Sequence, residues 1–187
     1  MKRFFILAAC TVLLLSCGDD KKDEPKSTEE TTTASAEKDK KAQQSEFADA
    51  KYADMGKKMM GQLSSGDIDG WLSNYAENAK FRWSAGDSLD GKGAISNYWK
   101  NRRGNVIDSI TFTNDIWLPL KVNTPQRGPD RIGVWLLSWY QVNVKYKTGK
   151  RVVFWAHIDH HFDANDKIDE TIQYIDMAPI NAAVGKK

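Results

Sequence analysis

The chain has 187 residues, enough for one domain, and carries 27 basic against 25 acidic residues for a formal net charge of +2. That balance lacks the concentrated basic face of a nucleic-acid binder, so no nucleic-acid partner is expected. The only cysteines are Cys10 and Cys17, which excludes a structural zinc site built on several thiolates.

Met1-Lys2-Arg3 opens the chain with positive charge, residues 4–15 form a 12-residue apolar run, and Ser16 places a small residue before Cys17. This is the layout of a secretory signal. The run is shorter than the roughly 20 residues that a membrane-spanning helix needs. Leu14-Leu15-Ser16-Cys17 resembles the lipobox of bacterial lipoproteins. The resemblance implies removal of residues 1–16, lipidation of Cys17, and a membrane as partner through that lipid. An ordinary cleaved signal or a buried apolar helix is the alternative. Cys10 would leave with the signal, so the mature chain would have no intramolecular disulfide and would rely on its core.

Residues 17–45 are expected to be a lipidated Cys followed by a disordered charged tether. From 18 to 46 there is no Val, Ile, Leu, Met, Phe, Trp or Tyr, too little apolar surface to offset the entropy of ordering. As a flexible coil the tether would reach roughly 30 Å, at about 5–6 Å times the square root of its length. Asp19-Asp20-Lys21-Lys22-Asp23-Glu24 resembles the charged export signals that carry some Gram-negative lipoproteins to the outer face of the outer membrane. A plain solvated charge run is the alternative. The expected location is the outer membrane or cell surface, lipid-anchored.

The composition shifts near Phe47, and all seven Trp residues fall between Trp71 and Trp155. Residues 46–180 are therefore expected to be the domain and 181–187 a tail. Ala48, Tyr52, Met55, Met59 and Leu63 recur at steps of three and four and predict an amphipathic helix. Its two Met residues are expected as core filler. Gly66 suits a left-handed cap, and Asp67 can cap a short second helix beginning at Ile68. Residues 79–83 read as a strand. Gly91 and Gly93 precede a third helix with Ala94, Ile95, Tyr98 and Trp99 on its buried side. Beyond Asn101 the period becomes two, predicting strands at 107–117, 132–146, 151–162 and 168–177. Thr148-Gly149-Lys150 and Ala164-Asn165-Asp166-Lys167 are hairpin turns. Residues 119–130 hold three prolines and read as a loop overhanging one end. Helices first and long antiparallel strands after predict an α+β domain.

This arrangement resembles the nuclear transport factor 2-like superfamily, in its SnoaL-like and ketosteroid-isomerase-like branch. The motifs that carry the resemblance are Ser65-Gly66-Asp67-Ile68-Asp69-Gly70-Trp71-Leu72 with Tyr75-Ala76-Glu77-Asn78-Ala79-Lys80-Phe81, then Gly91-Lys92-Gly93-Ala94-Ile95-Ser96-Asn97-Tyr98, then Ile158-Asp159-His160-His161-Phe162 with Asp166-Lys167-Ile168-Asp169-Glu170. The resemblance implies a curved antiparallel sheet forming a cone, with about three N-terminal helices covering a central pocket. Ketosteroid isomerase itself uses an Asp base with an oxyanion hole made of a Tyr and a protonated Asp. Carried onto this chain, the Tyr position falls on Met59 and the base position on Trp83. Only the oxyanion Asp has a match, at Asp159, so that reaction is not expected.

The segment around Asp159 is still the candidate site. Trp155, His157, Asp159 and His161 share one face of a strand, and Phe154, Ala156, Ile158 and His160 share the other. The expectation is that the Asp159 face points into the cone, where His157 or His161 with Asp159 would form an acid–base pair. Either the polar set faces water instead, or the apolar face makes a dimer contact. Trp83, Trp139 and Trp155 are expected to line the pocket with His157, Asp159 and His161; Trp71, Trp99 and Trp135 are expected in the core. His157-x-Asp159-x-His161 has the look of a metal motif. However, strand residues four apart sit about 13 Å apart, so one strand offers at most two neighbouring ligands. Further ligands would have to come from elsewhere, such as Glu170 or Asp87, and no metal or other cofactor is expected. The leading functional expectation is a membrane-anchored, non-catalytic lipoprotein that binds a small apolar ligand or a partner protein. The rivals are a SnoaL-like enzyme (isomerase, cyclase, dehydratase or hydrolase) using Asp159 with His157 or His161, and a structural domain that forms a homodimer through its sheet.

Overall fold

The computed structural model describes residues 43–185, apart from 127, 129 and 130. The lipobox, Cys17 and the charged segment up to residue 42 lie outside the described residues. In chain order the elements are β1 (Ser45–Phe47), α1 (Lys51–Ser65), α2 (Ile68–Leu72), β2 (Tyr75–Trp83), β3 (Ser88–Asp90), α3 (Lys92–Asn101), a π-helical turn (Arg102–Val106), β4 (Ile107–Val122), β5 (Gly133–Tyr146), β6 (Arg151–Phe162), β7 (Ile168–Tyr174) and α4 (Met177–Val184). The strands form one sheet in the order β1-β4-β5-β6-β7-β2-β3. All pairings are antiparallel except β2 with β7. This is the curved, open, helix-covered α+β sheet that the resemblance implies.

The predicted punctuation holds α1 and α2 in place. Gly66 takes φ 85°, a left-handed cap. The Asp67 carboxylate accepts from Gly70 N and closes the first turn of α2. Tyr52, Met59 and Leu63 are the buried stripe of α1. Gly56 lies on the same face, where a Cβ would collide with the Trp117 ring and sit 2.9 Å from Leu136 Cδ2. The missing side chain lets α1 come down onto β4 and β5. On the sheet, Leu136, Tyr140, Val142 and Val144 of β5 face inward with Phe154, Ala156, Ile158 and His160 of β6. β4 is 16 residues long and shifts register between Thr113 and Ile116, next to Asn114 at φ 55°. Such a bulge bends the strand and raises its twist, which curls the sheet around the helices.

Several boundaries differ from the sequence reading. Ser45, expected at the end of the tether, pairs in β1 with Val122 of β4, and Glu46 pairs with Lys121. Residues 119–122, read as loop, are strand. Pro119 is tolerated because its carbonyl accepts from Ala48 N; its missing N–H points to that same side, away from the β5 ladder. The short strand β3 was not foreseen. The final strand stops at Tyr174, and residues 177–184 are helix instead of strand end and tail. Asp176 caps α4 by accepting from Ala178 N, and Gly185 ends it at φ 76°. Burying Ile180 contributes about 2 kcal/mol. Thr148 Oγ1 and Lys150 Nζ donate to the carbonyls of Ala183 and Ala182, tying α4 to the β5–β6 turn.

Candidate functional site

The helices and the inner face of the sheet frame a cavity of ≈ 90 Å³. That is several times the ~10–15 Å³ that one water requires. Its wall is mostly aromatic and aliphatic, including Trp71, Trp83, Trp99, Trp117, Phe81 and Ile158. Tyr75, Phe81 and Thr171 line its closed end and are almost fully buried, whereas Trp83, Tyr98, Arg102 and Phe154 keep solvent contact and mark its edge.

One polar chain runs along this wall. Thr171 Oγ1 donates to the Tyr75 hydroxyl at 3.3 Å, and His160 Nδ1 lies 2.9 Å from Thr171 Oγ1. With Thr171 donating onward, His160 supplies the Nδ1 proton and its Nε2 carries the free lone pair. His160 is buried, and burial pulls its pKa down to about 4. The imidazole is therefore neutral at physiological pH, an acceptor in an apolar chamber. Burial also pushes the Tyr75 and Tyr140 hydroxyls far above the usual range, so they remain protonated donors. Gln173 adds an amide to the wall, and the buried Trp99 Nε1 has no hydrogen-bond partner.

The residues expected in the pocket divide sharply. Trp83 lines the cavity. Trp139, Trp155, His157, Asp159 and His161 do not, because β6 presents its other face inward. The positions to which the resemblance assigned the catalytic Tyr and base, Met59 and Trp83, do line the cavity; on β6 the inward group is His160 and not Asp159. On the outer face the His157 ring stacks between Trp139 (4.3 Å between centroids) and Tyr174 (5.3 Å). Its Nδ1 donates to the Ser138 carbonyl. Nε2 approaches Asp159 Oδ1 to 3.1 Å but out of line, so the contact is an ion pair at most and that oxygen is buried without a hydrogen bond. Burial raises the Asp159 pKa, and His157 only partly opposes it. His161 belongs to a separate tie. Its Nδ1 sits 2.6 Å from Asp169 and its Nε2 3.1 Å from the Ile132 carbonyl. Arg131 bridges Asp169 and Glu170, and Arg82 also binds Glu170. These groups hold the start of β5 to β6, β7 and β2. Among the described residues no group of three or more His, Cys, Asp and Glu is placed to hold a metal ion. Trp71, Trp99 and Trp135 are buried as expected. Sequence reasoning missed His160, Thr171, Tyr75 and Arg102 as site residues.

No family model matches the chain, and no curated protein is significantly similar to it. Solved structures do resemble it. A Bacillus subtilis protein provisionally named an isomerase aligns at TM-score 0.56 with 18% identity, over 72% of this chain and 93% of that one. A Xanthomonas campestris protein provisionally named a polyketide cyclase aligns at 0.56 with 14% identity, over 71% and 95%. An NTF2-like protein of unknown function from Burkholderia pseudomallei aligns at 0.55 with 11% identity, over 71% and 95%. The fold is thus that of the nuclear transport factor 2-like proteins, and identities this low carry the fold alone.

Proposed function

We propose that this protein is a lipid-anchored binding protein whose cone takes up a small, largely apolar molecule. The carrying observation is the chain Tyr75–Thr171–His160 set in an otherwise apolar, aromatic-walled cavity. A concave apolar chamber with a few fixed polar groups is how small-molecule sites are built. The free Nε2 of His160 would accept a hydrogen bond from the bound molecule, and the unpaired Trp99 Nε1 would donate one. Binding is favoured over catalysis because the lining has no Asp or Glu. His160, with a pKa of about 4, is too weak a base near neutrality for efficient proton abstraction. The isomerase and cyclase names of two structural neighbours therefore do not transfer. Titration of the purified protein with 4-phenylbutanol, followed by intrinsic Trp fluorescence, tests this. Saturable binding is expected, and Ile158→Trp, which fills the cavity, should abolish it. Undiminished binding to that variant would move the site elsewhere.

The anchoring part of the proposal rests on Leu14-Leu15-Ser16-Cys17 behind a short apolar run and a positive start. Cys17→Ser should shift the protein from membrane to soluble fractions and end incorporation of radiolabelled palmitate. Unchanged labelling would sink the claim. A second reading, pairing of two copies through the outer sheet face, is favoured by the exposure of Trp155, Val153 and Ile116 there.

A further inference from the structure

We infer that the molecule taken up by the cavity is an amphipathic anion, its apolar body inside the cone and its acidic group held at the mouth by Arg102. This rests on the binding reading above and specifies the ligand class. The inward-facing apolar walls set the body of the ligand. The mouth sets its head. Arg102 lines the edge of the cavity beside Tyr98, its guanidinium carbon 5.5 Å from that ring's centroid. Among the described residues it makes no ion pair, although nine contacts between Lys or Arg and a carboxylate are formed elsewhere. Its guanidinium hydrogen-bonds the Tyr98 and Tyr146 side chains, neutral partners that leave its charge unmatched and able to pair with a carboxylate.

Two further observations agree. Arg102 opens a π-helical turn, Arg102–Val106, inserted between α3 and β4. Such turns are rare and concentrate at functional sites, because the wider turn re-aims the side chains that follow. Beyond Arg102 lies a second recess that shares Tyr98 and Arg102 with the main cavity and adds Asn101, Asn105 and Lys147. The cationic groups therefore gather at one end, and the cavity lining has no acidic side chain that would repel an anion. A neutral ligand would leave this end unused, and a cation would meet Arg102 and Lys147.

The test compares two probes with the same apolar body, 4-phenylbutyrate and 4-phenylbutanol, by calorimetric titration of the full-length protein. The acid should bind at least ten-fold more tightly at low ionic strength. The preference should shrink as salt is added, since the contact is partly exposed. Arg102→Gln should remove the preference for the acid, while Arg102→Lys should keep a several-fold preference. Equal affinities in the wild type would overturn the inference. So would a preference that survives Arg102→Gln, or one lost equally in Arg102→Lys, which would assign the effect to shape instead of charge. Failure of both probes to bind strikes the binding reading itself. Binding of the alcohol without preference for the acid strikes only the anionic head.

Discussion

His160 shows how one side chain couples the cavity to stability. An unburied imidazole titrates near 6.5 and this one is held at about 4 by burial. Between those two values the unfolded chain binds a proton that the folded chain refuses, so stability is lost as pH falls from 6.5 to 4. A shift of that size corresponds to about 3 kcal/mol. Asp159 acts in the opposite sense. Burial raises its pKa, so the folded state holds its proton more tightly and that contribution weakens as pH rises above the unfolded value. The two are separable by substitution. Urea unfolding of the wild type and of His160→Gln at pH 7 and pH 4.5 should show a much smaller acid loss in the variant. An identical acid loss in both proteins would mean that the penalty for charging His160 is not what limits acid stability. At neutral pH, His160→Gln should cost only the order of one hydrogen bond, roughly 1 kcal/mol.

At the scale of elements, the sequence was most legible where a local rule acts alone. The period of α1, the Gly66 cap and the Asp67 cap appear in the structure as expected, because each depends on a few neighbouring backbone groups. The bounds of β6 were also legible, since turn residues flank it on both sides. What failed was the choice of which β6 face turns inward. Alternation divides a strand into two sets and cannot say which one is buried. The deciding information lay in β5, across the turn. There Tyr140, Val142, Val144 and Tyr146 alternate with Gln141, Asn143 and Lys145, which identifies the inner face. The hairpin pairs Lys145 with Arg151, Gln141 with Trp155 and Leu137 with Asp159. Side chains opposite one another share a face, so Trp155, His157 and Asp159 follow Gln141 and Lys145 outward, and His160 goes in. The cluster of histidines and carboxylate drew attention by its chemistry, whereas the polarity of the partner strand carried the geometry. Helix α4 was hidden for a related reason. Pro179 reads as a breaker, yet it falls in the first turn of the helix, where its missing N–H costs nothing. Ile180 and Ala183 are too few to show a period.

At the scale of the whole molecule, the outer face of the sheet is the surface left to explain. Trp155 and Val153 are 53% and 55% exposed and Ile116 is 56% exposed, with Trp139 and Tyr174 stacked on His157 between them. Contiguous exposed aromatic surface of this kind marks a contact site. The two titratable groups within it, His157 and Asp159, already face each other. A twofold pairing would bury the same patch on both copies and would need about 800 Å² per copy to be stable. Sedimentation equilibrium of the Cys17→Ser protein should therefore show a dimer, and Trp155→Arg should weaken the dimer at least ten-fold by burying an unpaired charge on each side. The variant should keep the ligand affinity of the wild type, because Trp155 does not line the cavity. A wild-type protein that stays monomeric up to its solubility limit would remove the pairing. A Trp155→Arg dimer of unchanged strength would place the contact on another face.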